Sequence, residues 1–327
     1  MIGRAAADAM RARLQGTAAP AAGGADEVAT SDGITPTLAE LIALRGLARA
    51  RGRVRRGTAG LRAQAPSMLR GRGMEYAESR GYAIGDDARH IDWRLTARSG
   101  KPHTKLFQAE RERLSLIVAD TAPALYFGTR VRFKSVQAAR AGAIAAWRAV
   151  ADGDRIAALR GSESTPPVPA ASGARGALRV LDALVRWYAQ PPQDDAGLEV
   201  GLEHARRLLR PGSRLLVLAD PASVAAIPAA RWPVLTAHHQ VVVLLLTDPL
   251  EMAPPDALLA FADGEGSGTR IDLDLAAGAQ RRRWHEAFAG TLEATVAALA
   301  ARGVHAVPLS CDAPSDAWLA PGDAGRA

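Results

Sequence analysis

From Arg113 onward the chain alternates between two hydrophobic rhythms. Short, nearly all-apolar runs stop at a polar residue: "RLSLIVAD" at Arg113–Asp120, "PGSRLLVLAD" at Pro211–Asp220, "HHQVVVLLLTD" at His238–Asp248 and "VHAVPLS" at Val304–Ser310. These are strand-length, and "GDRIAALR" at Gly153–Arg160 adds a turn and a further strand. Between them, apolar residues recur three and four apart. Residues 134–150 set Val136, Ala139, Ala143, Ile144 and Trp147 on one helical face. "GALRVLDALVRWYA" and "GLEHARRLLR" have the same period, and "GAQRRRWHEAFAGTLEATVAALAARG" predicts a long helix closed by Gly303. Strands alternating with helices of this length imply βαβ units around a mostly parallel sheet. Strands apolar on both sides suit a sheet covered on both faces. The predicted fold class is α/β.

The first 112 residues follow another pattern. "TPTLAELIALRGLARAR" opens at Thr35 or Thr37 and repeats Leu38, Leu41, Ile42 and Leu47 at helical spacing. From Gly52 to about Gln108, Gly and Arg are frequent and short alternating pieces predict irregular β structure. The first 33 residues read as a disordered Ala/Gly/Pro tail without a signal-peptide core. The expected organisation is a tail (1–33), a helix plus β-containing region (34–112), an α/β domain (113–312) and a C-terminal tail (313–327). "VVVLLLT" at Val241–Thr247 is the longest uncharged apolar run, far short of the ~18 residues that span a bilayer. The expectation is a cytoplasmic protein with no membrane span.

Composition narrows the chemistry. Hydrophobic residues make up 48% and aromatics only 5%, so Ala, Val and Leu must fill the core. The net charge is +7, but arginines are interleaved with acids rather than segregated. "RARGRVRRG" at Arg49–Gly57 is the candidate nucleic-acid run, yet it carries no aromatic residues for base stacking. The reading is no nucleic-acid partner, with binding through that run as the alternative. The single cysteine, Cys311, excludes an internal disulfide or thiolate cluster and reads as a packed thiol. There is no phosphate-binding G-x-x-x-x-G-K-[ST], no G-x-S-x-G elbow, and no second histidine four residues after His285.

The densest chemistry is "RGYAIGDDARHIDWRLTARSGKPHTKLF", Arg80–Phe107. Asp86, Asp87 and Asp92 offer acid/base groups, but arginines close to each would hold them ionised. "GDD" suits a turn in which Asp side chains accept backbone N–H bonds. Trp93, beside Ile91 and Leu95, is expected to be buried. The stretch therefore reads as a charged structural turn, anchoring the N-terminal region on the α/β domain and offering a possible partner surface, in preference to a catalytic site. Asp120, Asp220 and Asp248 end three strands, where an α/β sheet binds ligands or where an acid caps the next helix.

The same string resembles the bacterial domain-of-unknown-function family fifty-eight. The likeness rests on Arg80, Tyr82, Gly85, Asp86, Asp87, Arg89, Ile91, Asp92, Trp93, Ala97 and Arg98, then on "HHQVVVLLLTDPLEMAPP" and the C-terminal stretch, from about Thr37 to Leu319. The resemblance implies a von Willebrand factor type A-like α/β domain behind a smaller β-containing region. It implies no enzymatic activity, and partnership with a MoxR-type AAA+ ATPase, and with other type A proteins, in protein assembly or maturation. It also implies a cation held by D-x-S-x-S, a later Thr and a later Asp. Here the motif reads "DTAPA": Asp120 remains, while Ala122 and Ala124 supply no oxygen. Asp220 stands as the distal acid, Thr165 as the threonine, and Thr121 is expected to point away. No cofactor is expected, and Mg²⁺ binding should be weak or absent at a vestigial site.

Overall fold

The computed structural model describes residues 32–48, 74–83, 86–109, 113–262 and 270–319. The chain divides into two compact units, residues 50–113 and the remainder. In chain order, helix α1 (Leu38–Ala43) comes first. Strand β1 (Met74–Gly81), helix α2 (Trp93–Ser99) and strand β2 (His103–Ala109) belong to the smaller unit. Then follow β3 (Leu114–Ala119), α3 (Lys134–Ala151), β4 (Arg155–Arg160), β5 (Val168–Ala171), α4 (Gly173–Tyr188), α5 (Gly197–Leu208), β6 (Arg214–Ala219), α6 (Pro221–Ala225), α7 (Arg231–Thr236), β7 (Gln240–Thr247), α8 (Pro249–Met252), β8 (Leu258–Ala262), β9 (Arg270–Asp274), α9 (Gly278–His285), α10 (Thr291–Ala300) and β10 (His305–Ser310).

Six strands form the central sheet in the order β10-β7-β6-β3-β4-β5. All neighbours are parallel except β5, which runs antiparallel to β4 at the edge. Alternate residues of each strand supply opposite faces. Ile117, Ile156, Leu216, Leu218, Leu244 and Leu246 join the core cluster that contains Ile144 of α3 and Leu181 of α4. Leu116, Val118, Leu159, Leu215, Val217, Val243 and Leu245 join the one that contains Leu202 of α5 and Leu299 of α10. Chain order along the sheet reverses between β3 and β6. At that switch point the carboxyl ends of the strands form the crevice where sheets of this topology bind ligands.

Small residues let the layers approach closely. Ala138, Ala139, Ala141, Ala143 and Ala146 of α3 are fully buried, which explains how a chain so poor in aromatics fills its core. At the end of β4, a Cβ on Gly161 would fall 1.9 Å from the carbonyl oxygen of Gly197. Only glycine permits that approach, and it brings the loop after β4 against the start of α5.

Several expectations need correction. Helix α1 does not belong with the β-containing region: Leu41 and Leu44 enter the α/β core, and Trp147 Nε1 donates to Leu41 O at 3.1 Å. Arg140 also pairs with the buried Glu40. The Pro/Ser/Gly-rich stretch after β4 contains β5, and β8 with β9 makes an antiparallel hairpin; the apolar pattern suggested neither. The long helix predicted near the C-terminus forms, as α9 and α10 joined without interruption by a π-helical turn at Glu286–Gly290. Residues 313–319 are not a loose tail, because Ala313, Ala317, Trp318 and Leu319 pack against the core. Among the described residues no helix is long and apolar enough to cross a membrane.

Candidate functional site

The carboxyl edge of the sheet carries a polar ladder across four strands. Asp120 follows β3, and its Oδ2 accepts the backbone N–H of Asp220 at 3.1 Å while Oδ1 accepts that of Ala122 at 3.0 Å. Asp220, at the end of β6, caps α6 by accepting from Ala222 N at 2.8 Å. Its other oxygen receives Lys134 Nζ at 2.7 Å. The same ammonium donates to Glu251 Oε1 at 2.6 Å. Glu251 Oε2 accepts Asp248 N at 2.9 Å, and with Asp248 Oδ1 accepting Leu250 N at 2.8 Å this closes a capping box on α8. Asp248 also accepts from Thr129 N, Thr129 Oγ1 and, at 2.9 Å, Cys311 Sγ beyond β10. Three strand-ending aspartates thus serve as local caps or turn acceptors, the common role of aspartate at a helix start.

Burial and partners set the charges. Lys134 has 1% of its side chain exposed. Burial lowers its pKa, but the carboxylates of Asp220 and Glu251 outweigh that and hold it above the ordinary 10.5, so the ammonium is retained. Burial raises the Asp120 carboxyl, against the opposing bonds from Ser223 and from the N–H groups of Ala122 and Asp220. Burial also pushes Asp248 up, yet the donors Cys311, Thr129 and Leu250 N prevail and hold it below its usual value. Cys311 is buried with its thiol pushed well up, chiefly by burial and then by Asp248, which makes it an unreactive donor.

These residues do not fit a divalent cation. Ala122 and Ala124 bring no oxygen, and both oxygens of Asp120, Asp220, Asp248 and Glu251 already accept hydrogen bonds. Thr121 is buried beside Asp120 with its hydroxyl unbonded to protein. Thr165 is engaged elsewhere: it accepts from Arg160 Nη2 at 3.0 Å and donates to Asp194 Oδ2 at 3.1 Å. Among the described residues no group of three or more His, Cys, Asp or Glu side chains is arranged to hold an ion. Sequence reasoning missed Lys134 and Glu251. One signal was available: Lys134 is one of only three lysines in an arginine-dominated chain.

In the smaller unit, Arg80–Asp86 is a 2.7 Å ion pair, and Asp86 Oδ2 accepts Ala83 N at 2.9 Å. The backbone bond and then Arg80 lower the Asp86 pKa. Tyr82 OH donates to Asp86 O at 3.1 Å. Asp87 caps a 3₁₀ turn through Arg89 N. Asp92 caps α2 through Leu95 N at 3.1 Å and accepts from Ser79 Oγ at 3.0 Å. Arg98 lies in the last turn of α2, and Gly85 lies outside the described residues. Trp93 is not buried. It stands 69% exposed as the first residue of α2, the helix inserted between β1 and β2, directly after the Asp92 cap. Trp93→Ala should accordingly shift stability by no more than about 0.5 kcal/mol, as other surface substitutions do. Asp92→Ala, which deletes a cap, should cost about 1 kcal/mol. Urea melts of the two variants read both values.

Uncharacterized protein Mb1516 of Mycobacterium bovis and uncharacterized proteins MT1527 and Rv1480 of Mycobacterium tuberculosis are each 31% identical over 199 residues. The match covers 58% of this chain and 60% of each relative, so less than two thirds of their length is spanned. A family model described as "Protein of unknown function DUF58" matches residues 78–293, which takes in the Asp86–Arg98 motif, the carboxyl-edge ladder as far as Glu251, and most of the sheet. The chain belongs to that DUF58 family.

Proposed function

We propose that this protein is a non-enzymatic interaction module, a von Willebrand factor type A-like domain that works with a MoxR-type AAA+ ATPase in protein assembly or maturation. The observation that carries the reading is the exposed Trp93 on the capped helix α2, with Arg94 and Arg98 exposed along the same helix and Arg89 exposed just before it. An open indole among guanidinium groups is the composition that dominates binding energy in protein interfaces. The strand order of the central sheet supports the type A comparison. Saturation of every carboxylate along the ladder argues against general acid/base work there, since a catalytic acid needs an unsatisfied, reachable oxygen.

Capture of the MoxR-type ATPase from the same genome by immobilised full-length protein tests this, with and without ATP. The expected result is capture that Trp93→Ala reduces at least several-fold while the melting temperature holds. The nucleotide-free arm should be unchanged in EDTA, because no metal bridges the partners. Absence of capture in both nucleotide states overturns the partnership. Capture that nuclease abolishes would instead favour the basic run Arg49–Gly57, which lies outside the described residues.

A further inference from the structure

We infer that the Lys134 ammonium is the built-in cation of the sheet's carboxyl edge: it supplies the positive charge a divalent ion would otherwise bring and makes the edge independent of metal. This inference does not depend on which partner the protein binds.

The argument begins with charge. Asp120, Asp220, Asp248 and Glu251 are all buried along one edge of the sheet, and a buried carboxylate is stable only when paired or neutralised. Asp120 is displaced toward its neutral form by burial. Asp248 is satisfied by four donor bonds shared among Thr129, Leu250 and Cys311, none of them charged. Asp220 and Glu251 receive a full positive charge, and it comes from Lys134.

The position of that lysine is otherwise unfavourable. Lys134 is the first residue of α3, where the helix dipole repels a cation, and Phe133 supplies no side-chain cap. Its stem is buried, so solvent offers no compensation. Two carboxylates at 2.6 and 2.7 Å overcome both penalties. Those distances bring oxygens from the ends of β6 and β7 onto one point charge, above the switch point between β3 and β6. Residue type agrees. In a chain that otherwise uses arginine, a lysine is placed where a planar guanidinium could not substitute for a compact ion. Ala122 and Ala124 offer no oxygen to an ion, and the ammonium supplies in covalently attached form the charge that Asp220 and Glu251 need.

Mn²⁺ is the probe, since its paramagnetism reports free ion directly and carboxylates are its ordinary ligands. Full-length wild-type protein, Lys134→Ala, and Lys134→Ala with Asp220→Asn are titrated with Mn²⁺ and followed by electron paramagnetic resonance and by thermal melting. Wild type should leave millimolar Mn²⁺ free and melt unchanged. Lys134→Ala should melt lower, bind Mn²⁺ and recover part of the lost melting temperature, and the added Asp220→Asn should abolish the recovery. Should Lys134→Ala not fold unaided, refolding with and without Mn²⁺ gives the same reading, with soluble protein expected only in the presence of the ion. Stoichiometric Mn²⁺ binding by wild type that Asp220→Asn removes would overturn the inference. So would a Lys134→Ala protein that ignores the ion, or one that fails to refold in either condition.

Discussion

Lys134→Met should destabilise the fold by about 3–5 kcal/mol, the cost of removing one partner from a buried ion pair. Asp220 and Glu251 would be left as buried carboxylates facing each other across the volume the ammonium had filled. The triple variant Lys134→Met, Asp220→Asn, Glu251→Gln should regain most of that loss. Asn still caps α6 through its carbonyl oxygen, and Gln still accepts Asp248 N in the capping box, while no net charge is left to compensate. Urea denaturation of the three proteins gives both differences. A single variant as stable as wild type would mean the carboxylates find compensation elsewhere. The pair also sets a pH limit. The folded-state pKa of Lys134 lies above the ordinary 10.5, so its contribution is complete below that value and lost as pH rises through the folded-state pKa. Wild type should therefore lose stability steeply above about pH 10.5, and the triple variant should lack that component of the fall.

Trp147→Ala should cost about 3–5 kcal/mol, the usual penalty for deleting a large aromatic from a core. Trp147 is 4% exposed and lies on the face of α3 that packs against α1 and α4. Its indole N–H is one of the bonds that tie α1 to α3, through Leu41 O. Trp147→Phe should retain most of the packing and lose about 1 kcal/mol for the hydrogen bond. If α1 docks chiefly through this side chain, hydrogen exchange of amides in residues 38–44 should rise in Trp147→Ala well before the sheet exchanges. Unchanged protection of those amides would assign the docking to Leu41, Leu44 and the Glu40–Arg140 pair instead.

The parallel sheet was legible because its strands carry their own signal. "LSLIVA", "RLLVLA" and "VVVLLLT" are apolar on both sides, and only a sheet covered by helices on both faces accommodates that pattern. The helices α3, α4 and α5 were legible for the same reason, through a stripe recurring every three to four residues. Edge elements were harder. β5, in "VPAA", is half-exposed and proline-bearing, and the β8–β9 hairpin has little apolar burial, so neither leaves a clear period. The aspartates closing three strands were legible as markers of the sheet's carboxyl edge, because chain direction alone places them there.

Local chemistry was carried by the chain itself: Asp86, Asp87 and Asp92 accept bonds from residues within three positions, and spacing alone decides such turns and caps. The sequence by itself also determined that no hydroxyl stands at positions 122 and 124. Folding decided the rest. Asp220 and Glu251 lie 86 and 117 residues from Lys134, and only the strand order of the sheet brings them within 2.7 Å of one nitrogen. Trp93 shows the converse, since its hydrophobic side chain suggested burial while the cap at Asp92 and the start of α2 turn it to solvent. Burial is a property of what surrounds a residue, and those surroundings are assembled by distant segments whose pairing no local window of sequence contains.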